Sequence, residues 1–164
     1  MTMQQELRRA FGSFGTGIAI VAVRDDDGQA YGLTINSFAS VSLEPALLSW
    51  CLANESDMMG KLSACQKFSV NILAADQKDI SNRLAMPGDH KIGADEYEIG
   101  DQGGVLLNGA LAHFQCHVHD KITAGDHVLF LGAIDRAAYC PDGRAPLIYF
   151  RGDYAELPNG GNEK

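Results

Sequence analysis

Gly32-Leu33-Thr34-Ile35-Asn36-Ser37-Phe38-Ala39-Ser40-Val41-Ser42-Leu43-Glu44-Pro45 threads the hydroxyls of Thr34, Ser37, Ser40 and Ser42 and the amide of Asn36 through an apolar run. A Pro-led strand, Ala46 to Leu52, follows. A polar group buried without a partner costs about 1–3 kcal/mol, so an ordinary buried strand would not carry so many short donors. A strand that breaks into a loop around a planar, polar-edged ligand would use them. Hydroxyls and backbone N–H groups can meet a phosphate and a ring edge together, without Lys or Arg. The same spacing also fits a polar edge strand whose hydroxyls face water.

Working outward, the chain reads as many short strands with few helices. Gln4 to Phe14 carries apolar groups at helical spacing (Leu7, Ala10, Phe11, Phe14). Thr16 to Arg24 is a short β-branched strand, turned at Asp25-Asp26-Asp27-Gly28 into a partner ending at Ile35. Pro45 to Ala53 is apolar on both faces and reads as a central strand. Ser56-Asp57 is expected to cap a helix through Cys65, and Asp76 another to about Met86. Lys67 to Leu73 lies between them as a strand. Lys91 to Gly104 reads as an exposed excursion. Strands follow at Ala110–Lys121, His127–Tyr139 and Ala145–Phe150. This order predicts a mainly antiparallel β-barrel, because a doubly wound sheet would alternate strand and helix throughout.

The composition bounds the answer further. At 164 residues, 46% hydrophobic and 21% charged, the chain fits one globular domain over 1–157. The tail 158–164, Pro158-Asn159-Gly160-Gly161-Asn162-Glu163-Lys164, is expected to be disordered. A net charge of −8 argues against nucleic acid and anionic membranes as partners. The N-terminus lacks a signal-peptide pattern, and no apolar run reaches the ~20 residues of a membrane span. Cys51, Cys65, Cys116 and Cys140 are scattered without C-x-x-C pairs and read as reduced thiols of a cytoplasmic protein.

Three residue groups carry candidate chemistry. The Thr34–Ser42 loop, with Asn54 and Ser56 beyond the next strand, suits a flavin mononucleotide. Gly125-Asp126-His127 sits at a turn, where close backbone approach and an imidazole could orient a ligand; an ordinary hairpin turn fits equally. His113, His117 and His119 would share one face of an extended strand, with Cys116 opposite, and could hold a divalent metal. No carboxylate completes that pattern, and no H-E-x-x-H or paired-Cys motif appears, so no metal ligands are assigned. Glycines 12, 15 and 17 give G-x-x-G-x-G, which is not a Rossmann fingerprint.

Taken in order, Gly15-Thr16-Gly17, the Thr34–Ser42 loop, Phe68-Ser69-Val70-Asn71-Ile72-Leu73, Leu106-Leu107-Asn108-Gly109-Ala110-Leu111, Cys116, Gly125-Asp126-His127 and Tyr149-Phe150-Arg151-Gly152-Asp153-Tyr154 resemble the flavin reductase-like family. These are short-chain NAD(P)H:flavin oxidoreductases, the reductase components of two-component flavin monooxygenases. The resemblance implies an FMN-binding split β-barrel with a few short helices. It also implies NAD(P)H-dependent reduction of FMN or FAD, a partner monooxygenase and a homodimer. By match to the family's motifs, the flavin contacts fall on Thr34, Ile35, Asn36, Ser37, Ser40, Val41, Ser42, Ala53, Asn54 and Ser56, with Arg83 reaching the phosphate. Gly125 and Asp126 flank the nicotinamide site, His127 positions the dinucleotide, and Phe150 and Arg151 return near the flavin. The chain departs from the commoner Asp-Pro-Pro at Glu44-Pro45-Ala46, and from a bulkier hydroxyl residue at Ala39. The choice among FMN, FAD and riboflavin, and between NADH and NADPH, stays open. Other readings are a non-catalytic FMN-binding module of the same fold, and a metal-binding protein built on the histidine face.

Overall fold

The computed structural model describes residues 1–157, so the tail expected to be disordered lies outside the described residues. Helix α1 (Met3–Gly12) leads to β1 (Thr16–Gly17), β2 (Ala19–Arg24), β3 (Ala30–Ile35), β4 (Ala39–Leu43) and β5 (Ala46–Ala53). Next come α2 (Met59–Ala64), β6 (Lys67–Ile72), α3 (Lys78–Ala85), β7 (Lys91–Ile92), β8 (Tyr97–Ile99) and β9 (Val105–Leu107). The chain continues through β10 (Ala112–Ala124), β11 (His127–Tyr139), β12 (Ile148–Phe150) and β13 (Asp153–Ala155).

Eight strands form one antiparallel sheet in the order β4-β5-β11-β10-β6-β2-β3-β7. The sheet does not close, and β4 and β7 are its edges. This is the mainly β split barrel that the sequence predicts. Strands β1, β12 and β13 form a small second sheet, and β8 and β9 a hairpin.

Alternation on β2 explains the two cores. Ala19, Val21 and Val23 enter one cluster with Trp50, Phe68 and Phe130. Ile20 and Ala22 point the other way, to Leu73, Leu84, Val105 and Leu107. Trp50 stacks on Phe130 with centroids 4.2 Å apart and meets Phe68 edge-on at 5.6 Å. It is a core residue, buried on a strand, rather than a surface platform.

Two expectations are corrected, and two other segments show more detail. The segment from Thr16 splits at Ile18, because Thr16–Gly17 pairs with β12 while β2 joins the large sheet. Strand β5 lies one place in from the edge and buries only Leu48, Trp50 and Leu52. Residues 91–104 are mostly exposed, as expected, although β7 pairs with β3 and buries Ile92. Helix α1 has a capping box at Thr2 and Gln5 but buries nothing, leaving Phe11 and Phe14 exposed.

Candidate active site

The loop leaving β3 is held from three sides. Thr34 Oγ1 donates to the Ser81 carbonyl at 2.7 Å, tying the strand end to α3. Ser37 Oγ accepts from the Cys51 N–H at 2.9 Å, which draws the loop across to β5. A β-bulge between Ser40 and Ser42 then breaks the pairing of β4 with β5. Bulges re-aim side chains and occur often beside binding sites. Among the described residues, neither the Ser40 nor the Ser42 side chain has a protein hydrogen-bond partner, and Val41 is exposed. Two free hydroxyls on a bulged edge fit a phosphate-bearing ligand. The hydroxyls of Thr34 and Ser37 instead anchor the backbone of their own loop.

The segment after β5 is clamped in turn. Ser56 and Asp57 were expected as helix caps, yet α2 has Met58 at its N-cap with no side-chain cap bond. Ser56 Oγ accepts from the Met58 N–H at 3.2 Å, and Asp57 is used across the fold. Its Oδ2 accepts from the Gly88 N–H at 3.0 Å, and its Oδ1 lies 2.6 Å from Nε2 of the buried His90. Nδ1 of His90 lies 3.1 Å from the Gly32 carbonyl, so one ring bridges β3 and the 54–57 segment. The Gly88 amide, followed by His90, holds the Asp57 carboxyl below its ordinary value. Sequence reading missed this pair, because Asp57 looked like a cap and His90 like part of a turn.

Such a depressed carboxylate contributes stability that is present above its unfolded pKa, 3.8, and is lost as pH falls through the lower folded value. Asp57→Asn is therefore expected to destabilise the fold at pH 7 by about 1 kcal/mol, below the ~1.5–3 kcal/mol of hydrogen bonds to charged groups. Solvent screening accounts for the reduction, because the carboxylate is 43% exposed. In denaturant titrations of both proteins the gap should shrink below about pH 4; a gap independent of pH would contradict the assignment.

The third piece is the β10–β11 turn. Gly125, at φ +63, makes a two-residue connection with Asp126, in register Ala124↔His127. The Asn54 N–H donates to the Asp126 carbonyl at 2.9 Å, and His127 pairs across from Ala53. His127 Nδ1 lies 2.7 Å from Asp126 Oδ1, and this contact holds the Asp126 carboxyl below its ordinary value. The Nε2 edge of the ring is thus the one left for a ligand. Ser37, Ala53, Asn54, Ser56 and His127 accordingly gather at one end of the open sheet.

Beside them lie two adjoining clefts. One, of about 360 Å³, is lined by Thr34, Ile35, Asn36 and Asn82 with Tyr149 and Tyr154. The other, of about 690 Å³, is lined by Phe11, Phe14, Thr16 and Asn36 with Tyr149 and Gly152. The buried Thr16 hydroxyl on that cleft has no partner. Tyr154 Oη holds the wall by bonding Ser81 Oγ at 2.8 Å and Asn82 Oδ1 at 2.9 Å.

Arg83 is not brought to this group: its Nη2 donates to both carboxylate oxygens of Glu96, at 2.8 and 2.7 Å. Nor do the histidines of β10 converge. His113 Nδ1 faces Asn71 Oδ1 at 2.8 Å, while His117 Nδ1 faces Asp135 Oδ1 at 2.8 Å. Among the described residues no three His, Cys, Asp or Glu side chains are grouped to hold a metal ion.

The profile of the family described as "Flavin reductase like domain" matches residues 11–158. This chain belongs to the flavin reductase-like family. It is 40% identical over 150 residues to the reductase component of the flavin-dependent trigonelline monooxygenase of Acinetobacter baylyi, covering 92% of this chain and 48% of that one. It is 37% identical over 153 residues to the FMN reductase (NADH) SmoA of Agrobacterium fabrum, covering 93% of this chain and 86% of that one. Its structure resembles the NADH:FAD oxidoreductase SgcE6 of Streptomyces globisporus, solved with NAD and FAD fragments. The TM-score is 0.88 at 32% identity, over 96% of this chain and 94% of that one. The chain spans about half the length of several curated relatives it matches, the trigonelline reductase component among them. No helix among the described residues of this flavin reductase-like chain is long and apolar enough to cross a membrane.

Proposed function

We propose that residues 1–157 form one domain that uses NADH, or NADPH in its place, to reduce FMN or FAD, and that the reduced flavin is released to a partner flavin-dependent monooxygenase. The observation that carries this reading is the gathering of the Thr34–Ser37 part of the loop, the Ala53–Ser56 segment and the Gly125-Asp126-His127 turn at one end of the sheet, with Ser40 and Ser42 farther along β5 opposite Leu48 and Leu47. Bound flavin supplies the acceptor for the electron pair of the nicotinamide. The backbone from Thr34 to Ser37 faces the ring edge, and Ser40 and Ser42 address the phosphate; Ser56, beyond the other end of β5, is too far from them to share it. His127 holds the nicotinamide against the ring; its task is orientation, since no proton need be abstracted. Neutral donors bind phosphate less strongly than charge-assisted ones, which suits a flavin that leaves as product. Arg83, engaged with Glu96, takes no part unless that pair opens.

Exposed apolar groups on α1 and β4, with Phe11 at 73% and Leu43 at 97%, support a homodimer that covers them. Work in the cytoplasm is supported by four free cysteines, of which Cys116 is kept inert by burial that pushes its thiol up to about 12. The net charge of −8 speaks against nucleic-acid and membrane partners.

Mixing the purified protein anaerobically with FMN and NADH tests the reaction. The visible absorbance of oxidised FMN should disappear. Persistence of that absorbance while FMN binding is measurable would instead favour a binding module without activity.

A further inference from the structure

The hairpin that joins β12 to β13 carries an expensive residue at its tip. Phe150 pairs with Asp153, leaving Arg151 and Gly152 as a two-residue loop. Both have positive φ, +53 and +87. Such loops favour Asn-Gly, because a Cβ in the left-handed region is strained for most residues. Arginine gains nothing from that conformation, and outliers of this kind collect at functional sites. The Arg151 N–H donates to the Gly12 carbonyl at 2.8 Å, which fixes the tip against the end of α1. A Cβ on Gly12 would lie 3.5 Å from Arg151 Cα, so the two segments pack backbone to backbone.

This docking sets Arg151 beside Arg8 and Arg9 around a cleft of about 560 Å³. Among the described residues, none of the three guanidiniums forms an ion pair. In a chain of net charge −8, an uncompensated cluster of cations on one cleft is a local reversal of the field. Arg8 and Gly152 also line the 690 Å³ cleft, which shares Asn36 and Tyr149 with the cleft beneath Thr34. The trough from the flavin loop therefore runs on to the arginines.

We propose that Arg8, Arg9 and Arg151 bind the diphosphate of the adenosine diphosphate half that FAD and nicotinamide dinucleotides share. This rests on the flavin and dinucleotide reading of the Thr34–Asn36 trough, and extends it to the end of the ligand remote from the reacting rings. Guanidiniums suit this role through forked, charge-assisted bonds to phosphate oxygens. FMN and riboflavin, which lack the adenylate, should be indifferent to the cluster.

The test uses ADP as a probe by calorimetric titration of the flavin-free protein, with Arg8→Gln and Arg151→Asn separately and together. Arg8 lies on a helix that buries no residue, so its loss should not unfold the chain. Arg151→Asn restores the residue the turn prefers and should raise Tm by roughly 1–3 °C. Each change is expected to weaken ADP roughly tenfold and both together roughly a hundredfold, with riboflavin affinity unchanged. A variant that is more stable yet binds ADP less well cannot be explained by a structural role. With FMN as flavin, a raised KM for NADH and NADPH would assign the site to the nicotinamide dinucleotide; weaker FAD with unchanged KM would assign it to FAD. The proposal is overturned if wild type does not bind ADP, if the variants bind it as tightly, or if riboflavin weakens equally. Loss of ADP binding alongside intact NADH-dependent FMN reduction would leave the activity standing, whereas absent activity with normal ADP binding would overturn the flavin reductase reading alone.

Discussion

Replacing His127 by Ala should lower the rate of NADH use by about ten- to a hundredfold while leaving flavin affinity near the wild-type value. In the proposed reaction the ring serves the dinucleotide, and the fold does not depend on it. It is 43% exposed, its strand is held by backbone pairing to Ala53, and Asp126 takes its Nδ1 edge. Losing an orienting contact reduces the fraction of bound nicotinamide in reactive geometry, so the loss appears in the rate of reduction. Single-turnover reduction of a saturating flavin, set beside equilibrium flavin binding, separates the two. Equal damage to both would mark His127 as structural.

The second large effect concerns the edge strand. Ser40→Ala with Ser42→Ala removes two hydroxyls that have no protein partner, so stability of the flavin-free protein should barely change. If they hold the phosphate, two neutral hydrogen bonds of roughly 0.5–1.5 kcal/mol each are lost. FMN affinity should then fall by about ten- to a hundredfold, and riboflavin affinity much less. Fluorescence titration with both ligands reads this directly. Equal weakening of FMN and riboflavin would remove the phosphate from these serines, and an unfolded apoprotein would make β4 a structural edge.

Why the site was partly legible follows from what each residue contacts. The hydroxyl-rich loop and the Gly125-Asp126-His127 turn are local patterns, and turn chemistry at Gly125 shows in the sequence alone. Long-range contacts do not. Asp57 has the residue type and place of a cap, but its carboxylate is taken by Gly88 and His90, 31 and 33 positions away. Arg83 sits on the expected helix and is claimed by Glu96 from an excursion read as solvent-exposed. Arg8 gives no local signal, because the pattern of α1 shows in its apolar residues, and among the described residues that helix buries none of them. In the fold, β11 was read with its observed ends, since β-branched and aromatic residues lie between a Gly-Asp turn and Cys140-Pro141. The break at Ile18 was not visible, because it depends on β12 arriving from the far end of the chain.

In the proposed reaction this chain passes electrons from NADH to a flavin that comes and goes. Steady-state NADH oxidation in air by the flavin-free protein, measured across a series of added FMN concentrations, separates this from every other reading. Oxidation should be negligible without flavin and rise with FMN to saturation; oxidation independent of added flavin, or none at any concentration, would overturn the reaction.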